Sequence, residues 1–209
     1  MNEGDEGIGR RGFNRSVAGL LGAGAGTGGL GFSGVRNVSA QEDVATGLTV
    51  YVGTNDGTLY AVNAETGEQV WAFTEPSGDV SSEDIFSSPT VVEGTIYIGS
   101  GDHNDGALYA VNAETGEQEW AFTEPSLGVQ SSPTVVDGTI YIGSWDSTLY
   151  AVDAVTGEQE WSFTEPSDRV SSSPTVVDET VYVGSWDNTL YAVDAETGEK
   201  EWAFTEPSR

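Results

Sequence analysis

The chain has 209 residues (22.0 kDa) and carries 34 Asp plus Glu against 7 Lys plus Arg, a formal net charge of -27 at pH 7. A field of that sign repels nucleic acid and anionic membranes, which excludes both as expected partners. The absence of cysteine excludes disulfides, thiolate metal sites and cysteine nucleophiles. With 37% hydrophobic residues the length suffices for one domain with a sizeable core. Self-repulsion of so many carboxylates destabilises a compact fold at low salt, and counterions within about 10 Å at 0.1 M relieve it only in part. A single lysine, with acids at most turns, therefore predicts a protein adapted to high salt.

Residues 1–40 differ in kind from the rest. They hold four of the six arginines (Arg10, Arg11, Arg15 and Arg36) and a weakly apolar stretch from Val17 to Leu30 interrupted by glycines. Gly9-Arg10-Arg11-Gly12-Phe13-Asn14-Arg15 resembles a twin-arginine export motif: paired arginines, an aromatic two residues later, then a further base. Val38-Ser39-Ala40 reads as a small-residue cleavage site before Gln41, so residues 1–40 are expected to be a signal peptide and leader. The apolar stretch is too short and too glycine-rich for an integral membrane span, which needs about 20 strongly apolar residues.

Four near-copies of one segment come next. Leu59-Tyr-Ala-Val, Leu108-Tyr-Ala-Val, Leu149-Tyr-Ala-Val and Leu190-Tyr-Ala-Val each precede Ala-x-Thr-Gly-Glu and then a tryptophan: Trp71, Trp120, Trp161 and Trp202. A period of about 41 residues suits one propeller blade per repeat and is too long for a leucine-rich or ankyrin unit. Within one repeat, Thr134 to Val136 and Thr139 to Ile142 are β-branched runs joined by Asp137-Gly138, a tight-hairpin pair. Leu149 to Val152 is apolar enough to be covered on both faces, and Gln159 to Thr164 alternates before Pro166 ends it. The expectation is all-β: a β-propeller of four-stranded antiparallel blades at about 41–77, 85–126, 130–167 and 171–208. The first blade is incomplete, because Gln41 to Gly47 lacks the Ser-Ser-Pro-Thr-Val-Val sequence of the other three.

Ala61 to Trp71, Ala110 to Trp120, Ala151 to Trp161 and Ala192 to Trp202 resemble the tryptophan-docking motif of the pyrroloquinoline-quinone-type (PQQ-like) propeller repeat. With the acidic composition and the twin-arginine leader, the likeness is to exported haloarchaeal members. The resemblance implies that Trp71, Trp120, Trp161 and Trp202 pack on neighbouring blades as structural anchors. If buried, each would cost about 3 to 5 kcal/mol on conversion to alanine. It also implies rings of seven or eight blades, which leaves open a closed four-bladed ring, a homodimer of eight blades, or a shortened gene product. An open half-ring would expose blade faces lined with Trp and Val.

Residues outside the repeat pattern mark the candidate chemistry. Asn55-Asp56, Trp145-Asp146 and Trp186-Asp187 sit in turns between second and third strands and should share one face of the disc. An aromatic beside a carboxylate is a grip for sugars or small polar ligands, against the plainer reading of loop packing. Asp102, Asn104 and Asp105 offer hard oxygen ligands of the kind Ca²⁺ takes, but lack the glycine and distal Glu of an EF-hand loop, so a solvated acidic turn is the plainer reading. His103 has no second histidine or thiolate with which to build a zinc site. Insertions at 78–86 and 101–107 are where an asymmetric specificity site would be built.

No catalytic residue and no resident cofactor is assigned. The leading expectation is an exported, non-catalytic binding or scaffold module, extracellular or at the cell surface, contacting a protein or glycan through its loop face. The alternative implied by the resemblance is a quinoprotein alcohol or sugar dehydrogenase holding PQQ with Ca²⁺. The propeller lipoproteins of outer-membrane protein assembly are also similar, but no lipidation cysteine comes after the leader.

Overall fold

The computed structural model describes residues 37–43, 47–74 and 84–205, with side chains from Leu48 onward. The twin-arginine motif, the apolar stretch and most of the 78–86 insertion lie outside the described residues. Four antiparallel sheets succeed one another along the chain, each a four-stranded meander. Blade I is β1 (Asn37–Asp43), β2 (Gly47–Gly53), β3 (Thr58–Asn63) and β4 (Gln69–Thr74). Blade II is β5 (Thr90–Val92), β6 (Thr95–Gly101), β7 (Gly106–Asn112) and β8 (Gln118–Phe122). Blade III is β9 (Thr134–Val136), β10 (Thr139–Gly143), β11 (Leu149–Asp153) and β12 (Gln159–Phe163). Blade IV is β13 (Thr175–Val177), β14 (Thr180–Gly184), β15 (Thr189–Asp194) and β16 (Lys200–Thr205).

The first strand of blade I is present as β1, paired with β2 from Asn37 opposite Gly53 to Asp43 opposite Gly47. It starts four residues before Gln41, so the cleavage point expected after Ala40 falls inside a strand. The first hairpin of blade III has the left-handed turn that its sequence asks for, with Asp137 at φ 51 and Gly138 at φ 87. Blade IV places Asp178 and Glu179 there at φ 48 and 67, and a glutamate in that conformation costs about 1 kcal/mol relative to glycine.

The core lies between blades rather than within them. Tyr51, Leu59 and Phe73 of blade I pack with Ile96, Ile98 and Tyr109 of blade II. The same arrangement joins Leu108 and Phe122 to Ile140 and Tyr150, and Leu149 and Phe163 to Val181 and Tyr191. This is why the third strand reads as apolar on both faces: in blade II, Tyr109 and Val111 pack on the preceding blade and Leu108 and Ala110 on the next. Trp161 is buried, and Trp71 and Trp120 pack against their clusters. Trp202 departs from the sequence expectation, being 44% exposed, with Phe204 and Val177 exposed on the same blade.

The turn between third and fourth strands is closed in every blade by a side-chain oxygen at its first position. Asn63 Oδ1 accepts the Glu65 and Thr66 amides at 2.9 Å each, and Asn112 Oδ1 those of Glu114 and Thr115 at 3.0 Å. Blades III and IV use carboxylates instead: Asp153 Oδ1 accepts from Val155 and Thr156 at 2.9 and 2.7 Å, Asp194 Oδ1 from Glu196 and Thr197 at 3.1 and 2.8 Å. Bonds from Thr156 hold the Asp153 carboxyl below its ordinary range, and bonds from Thr197 do the same at Asp194. A depressed folded pKa gives stability that is present above the unfolded value, about 3.9, and lost as pH falls through the folded one. Substituting both Asp153→Asn and Asp194→Asn should therefore flatten the acid limb of the melting temperature below about pH 4, because the stability those carboxylates contribute at neutral pH is no longer there to be lost on acidification. Thermal scans at stepped pH check this.

Candidate functional site

The turns between second and third strands, with the connections between blades, form one face of the arc. Asp146 and Asp187 are built into this face. Asp146 Oδ2 accepts the Ser126 amide at 3.0 Å and the Tyr150 hydroxyl at 2.9 Å, while Oδ1 accepts the Thr148 amide at 3.1 Å. Asp187 repeats the set with Ser167, Tyr191 and Thr189, each at 2.9 Å. Each carboxylate thus ties the strand leaving one blade to a turn of the next. Burial, together with the bond to Asp146, pushes the Tyr150 hydroxyl up, and Tyr191 shifts the same way for the same reasons. Burial works against the Asp187 carboxylate, but the Ser167 amide, the Tyr191 hydroxyl and Thr189 outweigh it and hold its pKa low.

Their neighbours Trp145 and Trp186 are brought together by Arg169, which comes from the connection between blades III and IV. The guanidinium carbon lies 4.1 Å from the Trp145 ring centroid and 5.4 Å from that of Trp186. Backbone bonds fix this order: the Trp186 amide donates to Arg169 O at 2.9 Å, and the Val170 amide to Ser144 O at 2.9 Å. His103 meets Trp145 in a tilted contact, its ring centroid 4.8 Å from that of Trp145 and the planes 43° apart. The result is a His103–Trp145–Arg169–Trp186 row crossing blades II, III and IV, with Trp186 at 61% exposure. The Trp145 indole N–H is buried with no acceptor among the described residues. Sequence reasoning placed both tryptophans on this face and missed Arg169. Its signal was present: it is one of three bases after residue 40, between the two off-pattern tryptophans.

Asn55 and Asp56 occupy the equivalent turn of blade I, where Asp56 accepts from the Thr54 hydroxyl, and among the described residues no ring or ion contact links them to the row. Asp102 closes its own loop, accepting the Asn104 amide at 2.8 Å and side-chain nitrogen at 3.1 Å. Among the described residues no three His, Cys, Asp or Glu side chains are grouped to hold a metal ion. Nor does any helix among the described residues have the length and apolarity to cross a membrane.

The sheets and the docked tryptophans define a β-propeller of PQQ-like repeats. The family described as outer membrane protein assembly factor BamB matches residues 28–137 and 104–209, and the chain belongs to that family. BamB from Moraxella catarrhalis is similar over 75% of this chain and 45% of that one, at 26% identity and a TM-score of 0.63. Quinohemoprotein alcohol dehydrogenase from Comamonas testosteroni shares the fold over 77% of this chain and 34% of that one, at 21% identity and a TM-score of 0.65. A 57-residue stretch is 44% identical to quinohemoprotein alcohol dehydrogenase ADH IIB of Pseudomonas putida, covering 26% of this chain and 8% of the relative. The chain spans less than half the length of these relatives.

Proposed function

We propose that the chain works outside the cell as a non-catalytic β-propeller module that grips a protein or glycan ligand through the loop face, with Arg169 and its flanking indoles as the grip. The observation carrying this reading is the Trp145–Arg169–Trp186 stack. No described carboxylate forms an ion pair with Arg169, the only described ion pair being Lys200 with Glu165. Its guanidinium donors are thus open to a ligand, while the indoles hold its plane. Trp and Arg carry the largest single contributions at protein interfaces, and membership of an assembly-factor family leans the same way. The expected leader over residues 1–40 supports export, and the acidic surface supports work in high salt.

Screening glycans and extracellular proteins against the immobilised chain tests the reading. Arg169→Ala and Trp186→Ala should each weaken a captured ligand at least about tenfold. A ligand bound equally well by both variants overturns it. A quinoprotein dehydrogenase is the second reading, favoured by the stretch similar to ADH IIB. It requires the chain to hold the quinone with Ca²⁺, and among the described residues no three His, Cys, Asp or Glu side chains are grouped to hold a metal ion.

A further inference from the structure

Every described joint between blades has the same two halves. The donor half is an outer-strand tryptophan beside a second-strand tyrosine; the acceptor half is an alanine carbonyl and a turn glycine on the next blade. Trp71 Nε1 and Tyr51 Oη both donate to Ala113 O, at 3.2 and 3.0 Å. Trp120 and Tyr97 donate to Ala154 O at 3.3 and 3.0 Å, and Trp161 and Tyr141 to Ala195 O at 3.0 and 3.2 Å. Each indole lies on the turn glycine, so that a Cβ built on Gly116, Gly157 or Gly198 would stand 2.7 Å from it.

Two halves are left over, and they are complementary. Blade IV keeps the donor: the Tyr182 and Trp202 ring centroids are 5.8 Å apart, as in Tyr97–Trp120 and Tyr141–Trp161, yet Trp202 is 44% exposed. Blade I keeps the acceptor: Gly67 has the same left-handed φ, +71, with nothing within 4 Å of its Cβ position among the described residues. We propose that Trp202 of one copy docks on Gly67 and the Ala64 carbonyl of a second copy, and that two such joints close one ring of eight blades.

A head-to-tail joint repeated by a two-fold axis along the ring closes with two copies instead of growing into a filament. At -27 per chain, association should strengthen with salt.

Light scattering on the purified chain in about 1 M KCl tests this. The expected mass is twice 22.0 kDa, falling to 22.0 kDa for Trp202→Ala and for Gly67→Asn. Asparagine tolerates the left-handed turn while its side chain fills the seat of the indole. Both positions are open in the single chain, so both variants should keep its melting temperature at dilution. Mixing the two variants should restore a species of twice 22.0 kDa, because such a pair retains one intact joint. A wild-type mass of 22.0 kDa up to about 0.1 mM protein overturns the proposal. So does a dimer that both substitutions leave unchanged, or an open series of larger species.

Discussion

Trp161→Ala should lower the stability of the chain by about 3 to 5 kcal/mol, whereas Trp202→Ala, at dilutions where the chain is monomeric, should change it by about 0.5 kcal/mol or less. The two residues occupy the same place in the repeat and differ only in whether another blade of the same chain covers them. Trp161 is 9% exposed, donates to Ala195 O and covers Gly198. Its removal opens a cavity between two sheets that the surrounding strands cannot close without losing register, and cavity and transfer costs add. Tyr141 still donates to Ala195 O at 3.2 Å, so the carbonyl keeps a partner and the loss is one of packing. Among the described residues no further blade covers Trp202, and truncating it removes little contact. Denaturant unfolding of both variants at one low protein concentration measures the difference; equal losses would mean that blade IV is covered within the single chain.

Gly143→Ala should cost about 1 to 3 kcal/mol, and Gly184→Ala about nothing, or a gain of a few tenths of a kcal/mol. Both glycines end the second strand of their blade, in backbone that alanine can adopt. A Cβ on Gly143 would meet the Val170 carbonyl oxygen at 2.4 Å and the Val170 side chain at 2.5 Å. The carbonyl belongs to the connection carrying the chain into the next blade, held by the Val170 amide on Ser144 O, so it cannot swing aside cheaply. A Cβ on Gly184 would meet only Ser172, at 3.5 and 3.8 Å, an ordinary contact. There the loss of unfolded-state freedom favours alanine. Melting temperatures of the two variants decide it, and a destabilising Gly184→Ala would contradict the open edge.

Blade III was legible almost to the residue, because Asp137-Gly138, Thr156-Gly157 and the alternation after Gln159 each fix a local conformation that tertiary context does not override. Docking of Trp71, Trp120 and Trp161 was legible from the repeat, since one packing solution is written three times. Trp202 shows what a repeat leaves open: its sequence matches the other three copies, while its 44% exposure depends on whether a further blade covers it, as expected for the edge of an open half-ring. The displacement of β1 to Asn37 was hidden because its residues lack the pattern of the other first strands and are paired only through the ladder with β2. Arg169 escaped notice because its importance comes from two turns converging on one connection, an arrangement no local spacing encodes. Asp146 and Asp187 were identified as part of the loop face, but only their bonds to Ser126, Ser167, Tyr150 and Tyr191 show the carboxylates serving the blade joints.

These bonds bear directly on function. With Asp146 and Asp187 engaged by backbone amides and tyrosine hydroxyls, the loop face presents the Arg169 guanidinium against the Trp145 and Trp186 rings, the group on which the proposed ligand contact rests. Under the proposed function this propeller binds a ligand without catalysing a reaction. Calorimetric titration of PQQ into the purified chain with Ca²⁺ and high salt, followed in the same sample by dye reduction with primary alcohols and glucose, tests it most directly. The expected result is no saturable quinone binding and no substrate-dependent reduction. Stoichiometric uptake of the quinone with alcohol-dependent turnover would contradict it.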